Sequence, residues 1–129
     1  MKTFSSFPSF FLGLCAMALL VGCAKNPYPR NTLDVVFQND SPTAIRSVGV
    51  EYAGEQFGTN SLAPGEKLKT RFTLREPMVL TFQYVEPKED RLVRQELPIP
   101  ARPTDGGEMV FRFNSEQELV RKTRFDLYN

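Results

Sequence analysis

Histidine is absent from this chain of 129 residues, and cysteine occurs only twice, at Cys15 and Cys23. Without histidine, the protein cannot form a Ser-His-Asp triad, a Cys-His pair, a histidine-ligated zinc site or the zinc-binding H-E-x-x-H helix. The sequence also lacks a glycine-rich phosphate-binding loop placed before a helix. These absences predict a protein that is not an enzyme and that holds neither a cofactor nor a metal ion.

Long apolar segments are missing as well, apart from one near the N-terminus. Lys2 precedes a charge-free run of 16 residues, from Phe7 to Gly22, that is interrupted by Pro8 and Gly13. A membrane-spanning helix needs ~20 apolar residues, so this run is too short to cross a bilayer. A positive residue, a short apolar run and a small residue at its end are typical of a cleaved signal peptide.

The residues at the end of this run are Leu20, Val21, Gly22 and Cys23. Their order resembles the lipobox of bacterial lipoproteins, in which a large aliphatic residue, a tolerated residue and a small residue precede the lipidated cysteine. The resemblance implies that residues 1–22 are removed and that Cys23 carries acyl chains that anchor the protein in a membrane. In that family an aspartate after the cysteine favours retention in the inner membrane. Because Ala24 stands there, the resemblance implies an outer-membrane protein that faces the periplasm.

What remains after cleavage is one short domain with balanced charge. The whole chain has 16 basic and 15 acidic residues, so removing Lys2 leaves 15 of each and a net charge of zero. Such a domain has no long-range field to steer it onto nucleic acid or an anionic membrane, and we expect no nucleic-acid partner. It has no cysteine left for a disulfide, so its hydrophobic core must hold it together.

Residues 23–31 form a polar linker in which Pro27 and Pro29 favour an extended backbone. Eight residues from Ala24 to Asn31 reach at most ~25–29 Å. The linker therefore predicts a domain, residues 32–129, that is held close to its membrane.

From Thr32 onward, apolar residues recur with a period of two, which is typical of half-buried strands. Turn-forming residues at intervals of about ten separate seven or eight such segments. We expect an all-β fold, an antiparallel sandwich or small barrel, with a sandwich of the immunoglobulin-like or transthyretin-like kind favoured. The predicted strands are residues 33–38, 45–52, 56–62, 67–74, 78–85, 91–97, 108–114 and a last one around 122–127.

Several local features refine this prediction. Both faces of strand 78–85 are largely apolar, so it should be central in its sheet. Ile45 is out of phase with the following apolar residues, which indicates a bulge or a late start. Pro64-Gly65 predicts a tight turn with a positive φ at the glycine. Ser115 and Glu118 have capping-box spacing, which predicts one helical turn before the last strand.

The first candidate binding surface is the outward-facing row Lys67, Lys69 and Arg71. Cations at every second position of a strand lie ~6.5–7 Å apart, and they could bind lipid phosphates or acidic groups of the cell wall. Alternatively, lysines on an edge strand prevent edge-to-edge aggregation. The second interpretation is the simpler one.

The second candidate is the irregular stretch from Pro98 to Gly107, which contains three prolines. Prolines restrict a loop, so this one could present Ile99 and Arg102 as a fixed recognition surface. The simpler interpretation, which we favour, is a plain connection between the two sheets.

Together these features predict a membrane-anchored periplasmic lipoprotein that acts as a non-catalytic binding or accessory domain in the cell envelope. Its partners would be the membrane, through the N-terminal lipid, and an envelope protein. The alternative is a periplasmic inhibitor or immunity-type protein directed against a wall-active enzyme.

Overall fold

The structure, a computed structural model, describes residues 28–126, and the lipobox residues Leu20 to Cys23 lie outside this range. Eight strands follow one another: β1 (Thr32–Asn39), β2 (Ile45–Tyr52), β3 (Glu55–Leu62), β4 (Lys67–Thr73), β5 (Val79–Glu86), β6 (Arg91–Pro98), β7 (Gly106–Phe113) and β8 (Leu119–Asp126). They form two sheets, sheet A with the order β4-β1-β7-β8 and sheet B with the order β3-β2-β5-β6. Residues 28–126 contain no helix. The predicted all-β sandwich is confirmed.

The chain alternates between the two sheets. Three hairpins, β2–β3, β5–β6 and β7–β8, stay within one sheet, and the other connections cross to the opposite sheet. Every neighbouring pair is antiparallel except β1 and β7, which run parallel with Phe37 opposite Phe111. The sandwich is thus antiparallel in the main, with one parallel pair in the middle of sheet A.

The hydrophobic core lies between the sheets and is rich in aromatic rings. Phe82 of β5 stacks on Phe111 of β7 with 4.8 Å between ring centroids, and Tyr52 of β2 meets Phe72 of β4 edge-on at 5.7 Å. The buried residues of this core are Leu33, Val35, Phe37, Ile45, Val48, Val50, Tyr52, Leu62, Phe72, Leu74, Leu80, Phe82, Leu97, Ile99, Met109, Phe111 and Phe113. Their alternation along the strands is the period of two seen in the sequence.

Strands β1 to β6 begin within one residue of their predicted starts. The irregularity expected at Ile45 is present in β2, whereas the burial of β1 differs from the prediction. β5 lies between β2 and β6, as its apolar faces indicated. β1 was expected to be half-buried, but it is buried on both faces, because Asp34 and Val36 on its outer side are covered too. In β2, the phase changes at Ser47, whose φ is 55°, so that Ile45 and Val48 both face the core.

The turns show one accurate prediction and two errors. Glu66 donates a backbone hydrogen bond to the Ala63 carbonyl at 3.0 Å across Pro64-Gly65, and Gly65 has the expected positive φ of 82°. The irregular stretch expected to reach Gly107 ends earlier, because Gly106 begins β7.

The helical turn predicted from Ser115 and Glu118 is also wrong. The Asn114 side-chain oxygen accepts hydrogen bonds from the backbone amides of Glu116 and Glu118, both at 2.9 Å. Gln117 adopts a φ of 65°. These bonds close a hairpin between β7 and β8, so the last strand starts at Leu119 rather than near Lys122.

The end of the predicted linker is bound to the domain. The Asn31 amide donates to the Asp105 carbonyl at 2.8 Å, and the Asn31 carbonyl accepts from the Leu74 amide at 2.7 Å. Tyr28 donates its hydroxyl to Glu108 Oε1 at 3.1 Å. Residues 28–31 therefore enter the fold as a docked segment.

Candidate functional site

The two ends of the sandwich are distinct. The linker end contains residues 28–31, the 53–54 hairpin turn and the connections 74–78 and 99–105, since Thr32 pairs with Thr73 and with Gly106 there. The opposite end contains the connections 40–44, 63–66, 87–90 and 114–118. The outer faces of the two sheets lie between these ends.

The cation row lies where the sequence placed it, on the outer face of an edge strand. β4 is the first strand of sheet A, and Lys67, Lys69 and Arg71 are all exposed. Two of the three cations are in ion pairs with one carboxylate, that of Asp34 on β1. Lys67 makes no ion pair with any of residues 28–126.

Asp34 was not recognised from the sequence as part of this row. Its side chain is only 4% exposed, and it accepts bonds from Arg71 Nε at 2.6 Å and Arg71 Nη2 at 3.2 Å. Lys69 Nζ lies 3.7 Å from its Oδ2. The hydrogen bond and charge of Asp34 raise the pKa of Arg71 above its ordinary value. Part of the row thus neutralises a buried carboxylate, which is a structural role.

The signal for Asp34 was present in the sequence. An aspartate between Leu33 and Val35, in a strand whose next residues Val36 and Phe37 are apolar, requires a charged partner if its strand is central. The partner could not be identified without the register that pairs Asp34 with Arg71.

The loop from residue 99 to 105 is held from within. Ile99 is 4% exposed and belongs to the core, so its side chain is not on the surface. Arg102 is exposed, but its amide and guanidinium both bond the buried carboxylate of Asp105, at 2.8 Å and 3.2 Å. The loop lies at the linker end, where Asn31 Nδ2 also donates to the Pro103 carbonyl at 2.8 Å. Its observed contacts are those of a connection that anchors the docked segment.

A groove on the outer face of sheet B was not predicted. It encloses about 670 Å³ and runs over β2 between β3 and β5. Gly49 and Gly58 are directly opposite each other in its floor. A Cβ at Gly58 would overlap the Val48 carbonyl oxygen, so close approach of the two strands requires glycine there. The paired glycines leave this part of the face without side chains, which makes the recess.

Polar side chains with fixed hydrogen bonds border this groove. Arg94 Nη1 donates to Gln83 Oε1 at 2.8 Å, and Arg94 Nη2 donates to Glu51 Oε1 at 3.0 Å. The side-chain amide of Gln83 donates to the Ser47 carbonyl at 3.4 Å. Donors and acceptors held in this way suit a polar ligand or a peptide segment, because little side-chain freedom is lost on binding.

Two tyrosines have perturbed ionisation outside the groove. Burial, followed by the bond to Glu108, raises the pKa of Tyr28, and burial, followed by the charge of Glu86, raises the pKa of Tyr84. Both groups stay neutral at physiological pH, so they serve as hydrogen-bonding and packing groups. Within residues 28–126 there is no cluster of three carboxylate, cysteine or histidine groups able to hold a metal ion. No helix in that part of the chain is long and apolar enough to span a membrane.

Comparisons with known proteins give no relative. No family model matches the chain, and neither the curated proteins nor the solved structures contain a significant match.

Proposed function

We propose that this chain is a lipid-anchored periplasmic protein of the outer membrane whose sandwich acts as a non-catalytic binding or accessory domain in the cell envelope. The anchor rests on the lipobox order that ends at Cys23, with Ala24 after it. The absence of histidine from the sequence removes the commonest general base, which favours binding over catalysis.

The groove on the outer face of sheet B is the observation that carries the binding role. Its floor is backbone at Gly49 and Gly58, and its rim carries the bonded set Arg94, Gln83 and Glu51. A recess bordered by preorganised polar side chains is suited to a polar segment of a partner protein, because little side-chain freedom is lost on binding. The partner class is therefore an envelope protein, in keeping with the tether.

The anchor is tested by mass spectrometry of the mature protein isolated from membranes. We expect an N-terminal Cys23 that carries acyl chains, and a chain that partitions into detergent. An unmodified Cys23, or cleavage at another residue, would contradict the lipoprotein assignment.

The binding role is tested by site-specific photocrosslinking in intact cells. A photoreactive residue replaces Gln56 at the groove or, as the control, Glu116 in the turn at the opposite end, and both positions are exposed. We expect a discrete crosslinked protein from position 56 only. Equal crosslinking from both positions, or from neither, contradicts the groove as the site. If the captured protein is a wall-active hydrolase that loses activity on binding, the domain is an inhibitor rather than an accessory subunit.

A further inference from the structure

The outer face of sheet A concentrates positive charge. Strand register places its side chains in rows, of which one contains Lys69, Val36, Val110 and Lys122. The neighbouring row toward the linker end contains Arg71 and Arg124, and the neighbouring row toward the opposite end contains Lys67 and Arg112. We call these six cations the basic face: Lys67, Lys69, Arg71, Arg112, Lys122 and Arg124.

The acids on this face do not cancel its charge. Asp34 and Glu108 lie within the rows, so six cations against two acids leave +4. Counting Asp40 and Asp126, which lie at the two ends of the face, lowers the sum to +2. The rows around the sheet B groove carry Glu51 and Glu96 against Arg94, a sum of −1. A domain of zero net charge is thus strongly polarised between its two outer faces.

Three cations of the basic face have no ion-pair partner within the described part of the chain. Lys67, Lys122 and Arg124 make no ion pair with any residue from 28 to 126. Lys67 lies on one edge strand and the other two lie on the opposite edge strand, three strand spacings or ~14 Å apart. Val36 and Val110 fill the middle of the face. Cations along both edges of one sheet face suit a plane of phosphate groups better than a single small anion.

The N-terminal segment leaves the domain across this same face. Gly106 is on the outer side of β7, and a Cβ there would overlap the Pro29 carbonyl oxygen. Tyr28 reaches further along the face to bond Glu108, and its amide lies 3.4 Å from Asp126 Oδ2. Cys23 is five residues before Tyr28, so the two Cα atoms are at most ~18 Å apart. The anchoring membrane is therefore within reach of the basic face.

We propose that the basic face lies on the anionic headgroups of the membrane that anchors the protein, with lipid phosphates bound by Lys67, Lys122 and Arg124. This proposal rests on the acyl anchor at Cys23. The face and the groove are on opposite sides of the sandwich, so a docked domain presents the sheet B groove away from the membrane.

The test is lysine footprinting of the acylated full-length mature protein in vesicles. One set of vesicles is phosphatidylcholine alone, and the other also contains phosphatidylglycerol. A water-soluble amine-reactive reagent is applied, and modification of Lys67, Lys69 and Lys122 is compared by mass spectrometry with that of Lys88. Lys88 is the internal control, because it lies in the 87–90 turn at the opposite end.

We expect the lysines of the basic face to be modified at least about fivefold more slowly in the anionic vesicles, the effect that one cation near such a surface supplies. Raised salt should remove the protection. The paired change Lys122→Gln and Arg124→Gln should abolish the protection of Lys67 and Lys69. The matched control, Arg46→Gln with Arg91→Gln, removes two exposed cations outside the basic face and keeps Lys88, and it should leave the protection unchanged.

Two results would overturn the proposal. One is that Lys67, Lys69 and Lys122 are modified at the same rate in both kinds of vesicle. The other is that Lys88 is protected in the anionic vesicles as strongly as the lysines of the basic face. A missing anchor gives a different result, because the protein then fails to float with phosphatidylcholine vesicles at all. Failure of this inference and failure of the lipoprotein assignment are thus distinguishable.

Discussion

Arg71 and Lys67 occupy the same face of the same edge strand, and the structure predicts that replacing them has very different effects on stability. Arg71 makes two hydrogen bonds to Asp34, and Lys67 makes no ion pair with the described residues. Methionine keeps much of either side chain's apolar stem, so Arg71→Met and Lys67→Met remove mainly the charge. The pair of variants therefore separates the Asp34 contact from the general effect of losing one cation.

The expected magnitude follows from the exposure of the two partners. A hydrogen bond to a charged group stabilises by ~1.5–3 kcal/mol, but Arg71 is 52% exposed, so solvent screening reduces its share. Asp34 is buried, and in the Arg71→Met variant its carboxylate would keep the ion pair with Lys69, whose Nζ lies 3.7 Å from Asp34 Oδ2. We expect Arg71→Met to lower the free energy of unfolding by about 2 kcal/mol, and Lys67→Met to change it by less than about 0.5 kcal/mol.

Urea denaturation followed by far-UV circular dichroism measures both variants under identical conditions. Asp34→Asn is the third member of the series, and it should cost less than Arg71→Met, because Arg71 and Lys69 remain solvated when their partner is neutral. Equal costs for Arg71→Met and Lys67→Met would refute the reasoning. So would a greater cost for Asp34→Asn, because the buried charge would then not be the dominant cost.

Three further changes test the core, the groove floor and the docked segment. Phe82→Ala should lower the free energy of unfolding by ~3–5 kcal/mol through a lost stacking partner and a cavity, whereas Val79→Ala in the same strand, 37% exposed, should cost under ~1 kcal/mol in the same urea assay. Gly58→Ala should cost at least ~1–3 kcal/mol because its Cβ has no room, and a neutral result would show that the strands adjust. The raised pKa of Tyr28 means that folding favours the neutral phenol; its contribution is complete below about pH 10 and is lost as pH rises through the raised pKa. The difference in unfolding free energy between the native chain and Tyr28→Phe should therefore be the same at about pH 8 and about pH 9 and should be smaller at about pH 11, and an unchanged difference at about pH 11 would contradict it.

The strands could be predicted because a period of two is a local property of the sequence. The inward residues Phe72 of β4 and Met109, Phe111 and Phe113 of β7 are buried, and Leu68 and Thr70 of β4 are half-buried, as their positions in the alternation require. Turn positions that depend on backbone preference, as at Gly65, were predicted for the same reason.

One error is local, and the other depends on distant partners. Asn114, rather than Ser115, closes the last hairpin, because its side-chain oxygen accepts the amides of Glu116 and Glu118, two and four residues ahead. The docking of Tyr28 and Asn31 depends on Glu108, Asp105 and Leu74, which are far away in the chain. Composition alone marks those residues as a solvated linker.

The distribution of charge over the surface also depends on which distant strands pair, so the net charge of the sequence does not describe it. A net charge of zero argued against any field that could steer the domain to an anionic surface. That argument assumes that acidic and basic side chains are evenly distributed over the surface. The order of the strands in the two sheets decides whether they are. The parallel pairing of β1 with β7 puts the basic strands β4 and β8 at the two edges of one sheet with their cations on one face. If β4 or β8 paired elsewhere, its cations would leave this face and the positive charge of the face would be smaller. The distribution of charge, and with it the proposed orientation on the membrane, is therefore a consequence of topology and not of composition.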